Sequence, residues 1–164
     1  MYKPYTVVFF GHRRLENAKL VEQRLEELVF MLLRQHGEVD FLVGRNGEFD
    51  LLAASVVRRV RKEYGDRHST LTLVLPYMTA EYRDNEAEFH RYYDAVEVFP
   101  CLPGMPQRAC IPLRNHDMVD RADAVIACVD HPGGASEAVK YARARGRKVI
   151  IDCLWENSSS TTSF

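Results

Sequence analysis

The stretch "YTVVFFGHRRL", Tyr5–Leu15, decides how the chain is read. Tyr5–Gly11 is short, β-branched and aromatic with no alternating polar face, so it reads as a strand buried on both sides. It stops at Gly11 and turns at once into His12-Arg13-Arg14. Within Leu15–Gln35, Leu25, Leu28, Val29, Leu32 and Leu33 then recur at helical spacing, and Gly37 marks the end. A buried strand followed by an amphipathic helix is half of a β–α–β unit, and the rest of the sequence repeats it. Strands are expected at Val39–Gly44, Leu71–Pro76, Ala95–Phe99, Asp123–Asp130 and Lys148–Asp152. Helices are expected at Glu48–Gly65, Glu86–Tyr93, Leu113–Arg121 and Ala135–Arg145, with Gly65 and Gly146 as closing glycines. Pro100–Pro112 is rich in proline and reads as a long loop. The pattern predicts an α/β fold, a single doubly wound Rossmann-like domain with a mainly parallel sheet flanked by helices. That domain covers residues 1–155, and the small polar tail 156–164 is expected to be disordered.

The 164 residues are enough for one core, and 46 % of them are apolar. The 22 basic and 23 acidic side chains nearly cancel, giving a net charge of -1. Binding nucleic acid through overall charge calls for a basic excess, so the balance speaks against a nucleic-acid partner. Cys101, Cys110, Cys128 and Cys153 form no C-x-x-C pair; the reading expects no disulfide framework and a cytoplasmic setting. The N-terminal apolar stretch is too short for a signal peptide or a membrane span, so no membrane partner is expected. "RRVRK" (Arg58–Lys62) and "RARGRK" (Arg143–Lys148) fall at helix C-terminal ends, where they complement the dipole.

In a parallel sheet the strand C-termini share one edge, where ligands bind near the switch in strand order. The segments that follow the strands there include "GHRR", "GRNGEFD", "PYMTAEYRDN" and "DHPGGASEAVK". Glycine before a helix allows close backbone approach, and the helix start offers free N–H groups. The candidate ligand-binding residues are Gly11, His12, Arg13, Gly44, Arg45, Gly47, Glu48, Asp50, Pro76, Tyr77, Arg114, Asn115, Asp130, Gly133 and Gly134. Arg13, Arg45 and Arg114 would clamp phosphate, and Tyr77 sits where it could stack on a base. Glu48 and Asp50 would meet a ribose hydroxyl, activate water, or only complement the helix dipole. His12 is read as a structural or ligand contact ahead of a general acid or base. Asn115 is a ligand contact or a helix cap. Glu48, Asp50 and Glu137 are the weak catalytic candidates. No Walker motif, nucleophile elbow or metal-ligand spacing occurs, and no metal is expected, Asp130-His131 included.

These residues resemble a family. "FFGHRRL", "GRNGEFDLLAA", "LVLPY" and "RNHDMVDRADAVIACVDHPGGASEAVKYARARGRKVIID" are similar to the YpsA-like branch of the SLOG superfamily. Its members are Rossmann-like proteins related to lonely-guy (LOG) phosphoribohydrolases and to DNA-processing protein A. The resemblance implies a site for a nucleotide or nucleotide derivative built from Gly11–Arg13, Gly44–Asp50 and Gly133-Gly134. It also implies a homodimer. Two departures stand out. Arg45 and Glu48 occupy a turn that is usually small and glycine-rich. Val139-Lys140 stands where the phosphoribohydrolases carry a glutamate pair, so their catalytic role is not carried over to Glu137. The expected function is binding of a nucleotide-like ligand at the sheet edge, as a sensor, with no further cofactor. The alternatives are a nucleotide-processing hydrolase and, less favoured, single-stranded DNA binding.

Overall fold

The protein is described by a computed structural model covering residues 3–65, 68–146 and 149–153. The tail 156–164 and the end of the "RARGRK" stretch lie outside the described residues. The chain runs β1 (Tyr5–Gly11), α1 (Ala18–Gln35), β2 (Val39–Val43), α2 (Glu48–Tyr64) and β3 (Ser69–Leu75). It continues through α3 (Ala80–Asp84), α4 (Glu86–Tyr92), β4 (Ala95–Val98), α5 (Gln107–Arg121), β5 (Ala124–Cys128), α6 (Gly134–Arg145) and β6 (Val149–Asp152). The strands form a six-stranded sheet in the order β4-β3-β2-β1-β5-β6, with every pairing parallel. The doubly wound Rossmann-like fold expected from the sequence is the fold observed.

β1 shows why. Its side chains alternate between two cores: Val7 and Phe9 pack with α1 and α2, while Val8 and Phe10 pack with α5 and α6. α1 buries Val21, Leu25, Leu28, Val29, Leu32 and Leu33 on one stripe, each stabilising the fold by roughly 1.5–3 kcal/mol. Tyr93 and Phe89 belong to the same core. The chain moves outward from β1 to β4, then crosses back to β5 on the other side of β1. The C-terminal ends of β1 and β5 are therefore the switch point.

Three local expectations are corrected. α1 begins at Ala18, later than Leu15; the segment before it is a loop tied to α2 where the Leu15 N–H donates to Glu48 Oε2 at 2.6 Å. Residues 12–17 stay free of the helix and shape the site. A helix is added at Ala80–Asp84, where Thr79 Oγ1 caps it by accepting from Tyr82 N at 3.2 Å. The expected Pro100–Pro112 loop ends early, since α5 starts at Gln107 and holds Pro112 inside it. Pro112 lacks an N–H and crowds the Arg108 carbonyl four residues back. Both residues are exposed, so water can serve that carbonyl.

The cysteine reading is corrected as well. Cys101 and Cys110 form a disulfide across a separation of 9 residues, with Cα atoms 5.9 Å apart. The bridge fastens the loop after β4 to the first turns of α5. Closing so short a loop stabilises by about 2–3 kcal/mol in the chain-entropy account. Cys128 and Cys153 are free and buried. Alkylation of the denatured, unreduced protein is expected to label these two of the four cysteines. Labelling of Cys101 and Cys110 as well would show the bridge to be absent. Among the described residues no helix is long and apolar enough to cross a membrane.

Candidate functional site

At the C-terminal edge, a cleft of about 660 Å³ opens over the β1/β5 switch point. That size falls within the roughly 300–1,000 Å³ of small-molecule sites. Of the residues singled out from sequence, Gly11, His12, Arg13, Gly44, Asp50, Arg114, Asn115, Asp130, Gly133 and Gly134 line it. Arg45, Gly47, Glu48, Pro76, Tyr77 and Glu137 do not.

The floor is Arg114, 2 % exposed, which reaches up from α5. Its Nη1 donates to the Val74 carbonyl at 2.7 Å and its Nε to Asn115 Oδ1 at 2.9 Å. Asn115 thus lies inside the helix, where it orients the guanidinium, and does not cap it. Asp50 sits in the cleft wall, crowded by protein yet reached by solvent from the cleft. Burial pushes its carboxyl above the usual range, while the Asn46 N–H at 2.9 Å and the Arg114 charge hold it back. Burial pulls the Arg114 pKa down against the opposing pull of Asp50. Gly44 lies between them: a Cβ there would meet Arg114 Nη1 and Asp50 Oδ2, each at 3.0 Å.

The glycines serve different ends. A Cβ on Gly11 would fall 2.2 Å from Phe49 Cγ, so Gly11 is small to let β1 and α2 pack. One on Gly47 would meet Arg13 Cα at 2.4 Å, which lets two loops touch backbone to backbone. Those loops are then stitched together: Glu48 N donates to the Arg13 carbonyl at 2.9 Å, and Glu48 Oε2 accepts from Leu15 N. The first N–H of α2 is therefore spent inside the protein. The start of α6 is different. Gly133, Gly134 and Ala135 face the cleft, and Ser136 closes the turn by accepting from Gly133 N at 2.9 Å. Gly133 has φ +156° and open space around it.

Arg45 and Glu137 are engaged elsewhere. Arg45 donates to Glu81 Oε1 at 2.8 Å and to Tyr93 Oη at 3.1 Å, lying over the Phe89 ring. It fastens α3 and α4 to the sheet. Glu137 is exposed and pairs with Lys140. Pro76 is buried, and Tyr77 lies outside the cleft lining.

Sequence reasoning missed Arg14, Asn17, Cys128 and His131, all in the lining. His131 stands beside a candidate, but its partner His12 lies far away in the chain. The two rings stack at 3.4 Å between centroids. His12 Nε2 accepts from the Asp130 backbone N–H at 3.1 Å and lies 3.2 Å from Asp130 Oδ1. Burial first, and His131 next, hold the His12 imidazolium below its ordinary pKa, with Asp130 opposing both.

No family model matches the chain, and no curated protein matches it in sequence. Solved structures match in fold. DNA processing protein A (DprA) from Streptococcus pneumoniae superposes with a TM-score of 0.65 at 14 % identity, over 91 % of this chain and 50 % of that one. The chain thus spans half the length of that protein. DprA from Helicobacter pylori, described with its single-stranded DNA binding mode, gives 0.66 at 14 % identity over 96 % and 68 %. The molybdenum cofactor binding protein from Rippkaea orientalis gives 0.56 at 19 % identity over 93 % and 78 %. These are likenesses of fold, and they match the Rossmann-like architecture expected from the sequence.

Proposed function

We propose that the protein binds a small phosphorylated ligand of nucleotide type in the cleft over the β1/β5 switch point. The observation that carries this reading is the union of Arg114, the Arg13-Arg14 rim and the glycine start of α6 on one cavity wall. Free N–H groups and the dipole of α6 favour an anion, and two exposed arginines can follow it inward. Binding of a molybdenum cofactor by a protein of the same fold supports a small-molecule role for this cleft. The protein acts as a binding module or sensor, as a homodimer.

Titration calorimetry with AMP, ADP, NAD and ADP-ribose tests it. At least one is expected to bind, and Arg13→Ala to weaken it by about tenfold, the loss of one charge-assisted contact of roughly 1.4 kcal/mol. No heat and no thermal shift with any of them, on folded protein, would sink the reading. Two other functions have an observation behind them. Of the catalytic candidates Glu48, Asp50 and Glu137, only Asp50 lines the cleft, so turnover of the same panel, abolished by Asp50→Asn, would mark a hydrolase. A balanced net charge does not set aside single-stranded DNA, because a protein of this fold binds it. Oligonucleotide binding that falls steeply with salt, with none of the mononucleotides bound, would favour that function.

A further inference from the structure

We propose that His12, Asp130 and His131 form a binding site for a divalent first-row transition metal at the mouth of the cleft. His12 comes from the loop after β1, and the other two come from the loop after β5. One nitrogen from each ring and one carboxylate oxygen lie within 4.8 Å of one another. Asp130 Oδ1 is 3.2 Å from His12 Nε2 and 2.6 Å from His131 Nδ1. Donor atoms around a metal with bonds of about 2.0–2.2 Å are separated by about 3–3.5 Å. The 3.2 Å contact already has that spacing, while the 2.6 Å contact is a hydrogen bond that opens when His131 turns toward the ion.

The chemistry of the set selects the ion. Two imidazoles and one carboxylate suit zinc, cobalt, iron or nickel, and are a poor match to magnesium or calcium, which take oxygen ligands. His12 Nε2, which faces both the Asp130 N–H and the Asp130 carboxylate, is the nitrogen that would meet the ion. Metal binding at that nitrogen replaces the hydrogen bond from the Asp130 N–H. His131 must turn out of its stack to aim Nδ1 at the same point. With 59 % of its side chain exposed it has room to do so. His12, 10 % exposed, is the fixed member. Three protein ligands leave positions open, and all three residues line the cleft, so those positions face its interior.

The test uses the untagged, chelator-stripped protein with Co(II), followed by visible absorption, and Zn(II) as competitor. Expected is one equivalent of Co(II) per chain, displaced by Zn(II). His131→Ala and Asp130→Asn should each weaken binding by about tenfold or more, and His116→Ala should leave it unchanged. His131 and Asp130 are exposed, so a matching thermal midpoint in chelator verifies that the variants are folded. Absence of binding, or binding that both variants retain in full, overturns the site. These measurements use no nucleotide, so they stand apart from the ligand titrations. One part rests on the reading above: the open positions take the ligand's phosphate. ADP affinity should then fall by about tenfold on adding chelator to the wild type and be insensitive to chelator in His131→Ala. Equal ADP affinity with and without chelator overturns that part alone.

Discussion

Arg114→Ala is expected to lower folding stability by about 3 kcal/mol, the low end of the cost of breaking a buried charge arrangement. The side chain is 2 % exposed and holds the Val74 carbonyl and Asn115 Oδ1. Removing it strips a donor from each, at roughly 1–3 kcal/mol for a buried group left unpaired. It also deprives Asp50 of the positive charge that favours its ionised form. Urea unfolding at neutral pH measures the loss, and a cost below about 1 kcal/mol would show that the guanidinium is a passenger. The pH dependence sharpens the test. Burial raises the folded Asp50 pKa above its ordinary 3.8, so the folded state binds that proton more tightly than the unfolded chain. The resulting stability is fully present below 3.8 and is lost as pH rises through the folded pKa. Wild-type stability relative to Asp50→Asn should therefore decline across that window. In the Arg114→Ala background the window should move to higher pH.

Gly11→Ala should cost about 2–3 kcal/mol, a large effect for one methyl group at a loop boundary. The new carbon would fall 2.2 Å from Phe49 Cγ and 2.4 Å from Cδ1, and Phe49 is fully buried. Either β1 or α2 must move, and overpacking a close-packed core costs about 1–3 kcal/mol. Phe49→Leu makes room, so the double variant should be more stable than the sum of the single losses by about 1 kcal/mol. Strict additivity, or a Gly11→Ala protein within about 0.5 kcal/mol of wild type, would remove the packing role.

The inner strands β1 and β5 were legible because each carries an unbroken apolar run, and the long helices because their buried stripes repeat at three and four residues. α5 was not, since the prolines between residues 100 and 112 argue locally for a loop. The Cys101–Cys110 bridge and the exposure of Pro112 are tertiary facts. The cleft was legible where glycine opens a helix at the sheet edge, as at Gly133-Gly134 before α6. Arg45 illustrates the failure. Beside a glycine turn it looks like a phosphate clamp, but Glu81, 36 residues away, takes its guanidinium. Glu48 likewise looked free, yet its carboxylate is held by the Leu15 N–H. His12 and Asp130, 118 residues apart, could not be joined by spacing at all.

The position of β1 inside the sheet has a cost during synthesis. A chain growing from its N-terminus can pair β1 with β2, β3 and β4 while its other side waits for β5. Val7 to Gly11 remain unpaired on that side until residues 124–128 emerge and take up the register Val7↔Ala124 through Gly11↔Cys128. An apolar, uncharged strand edge left open is a template for intermolecular pairing. Nascent chains halted before β5 should therefore be the aggregating species, and the cleft is among the last features of the molecule to be assembled.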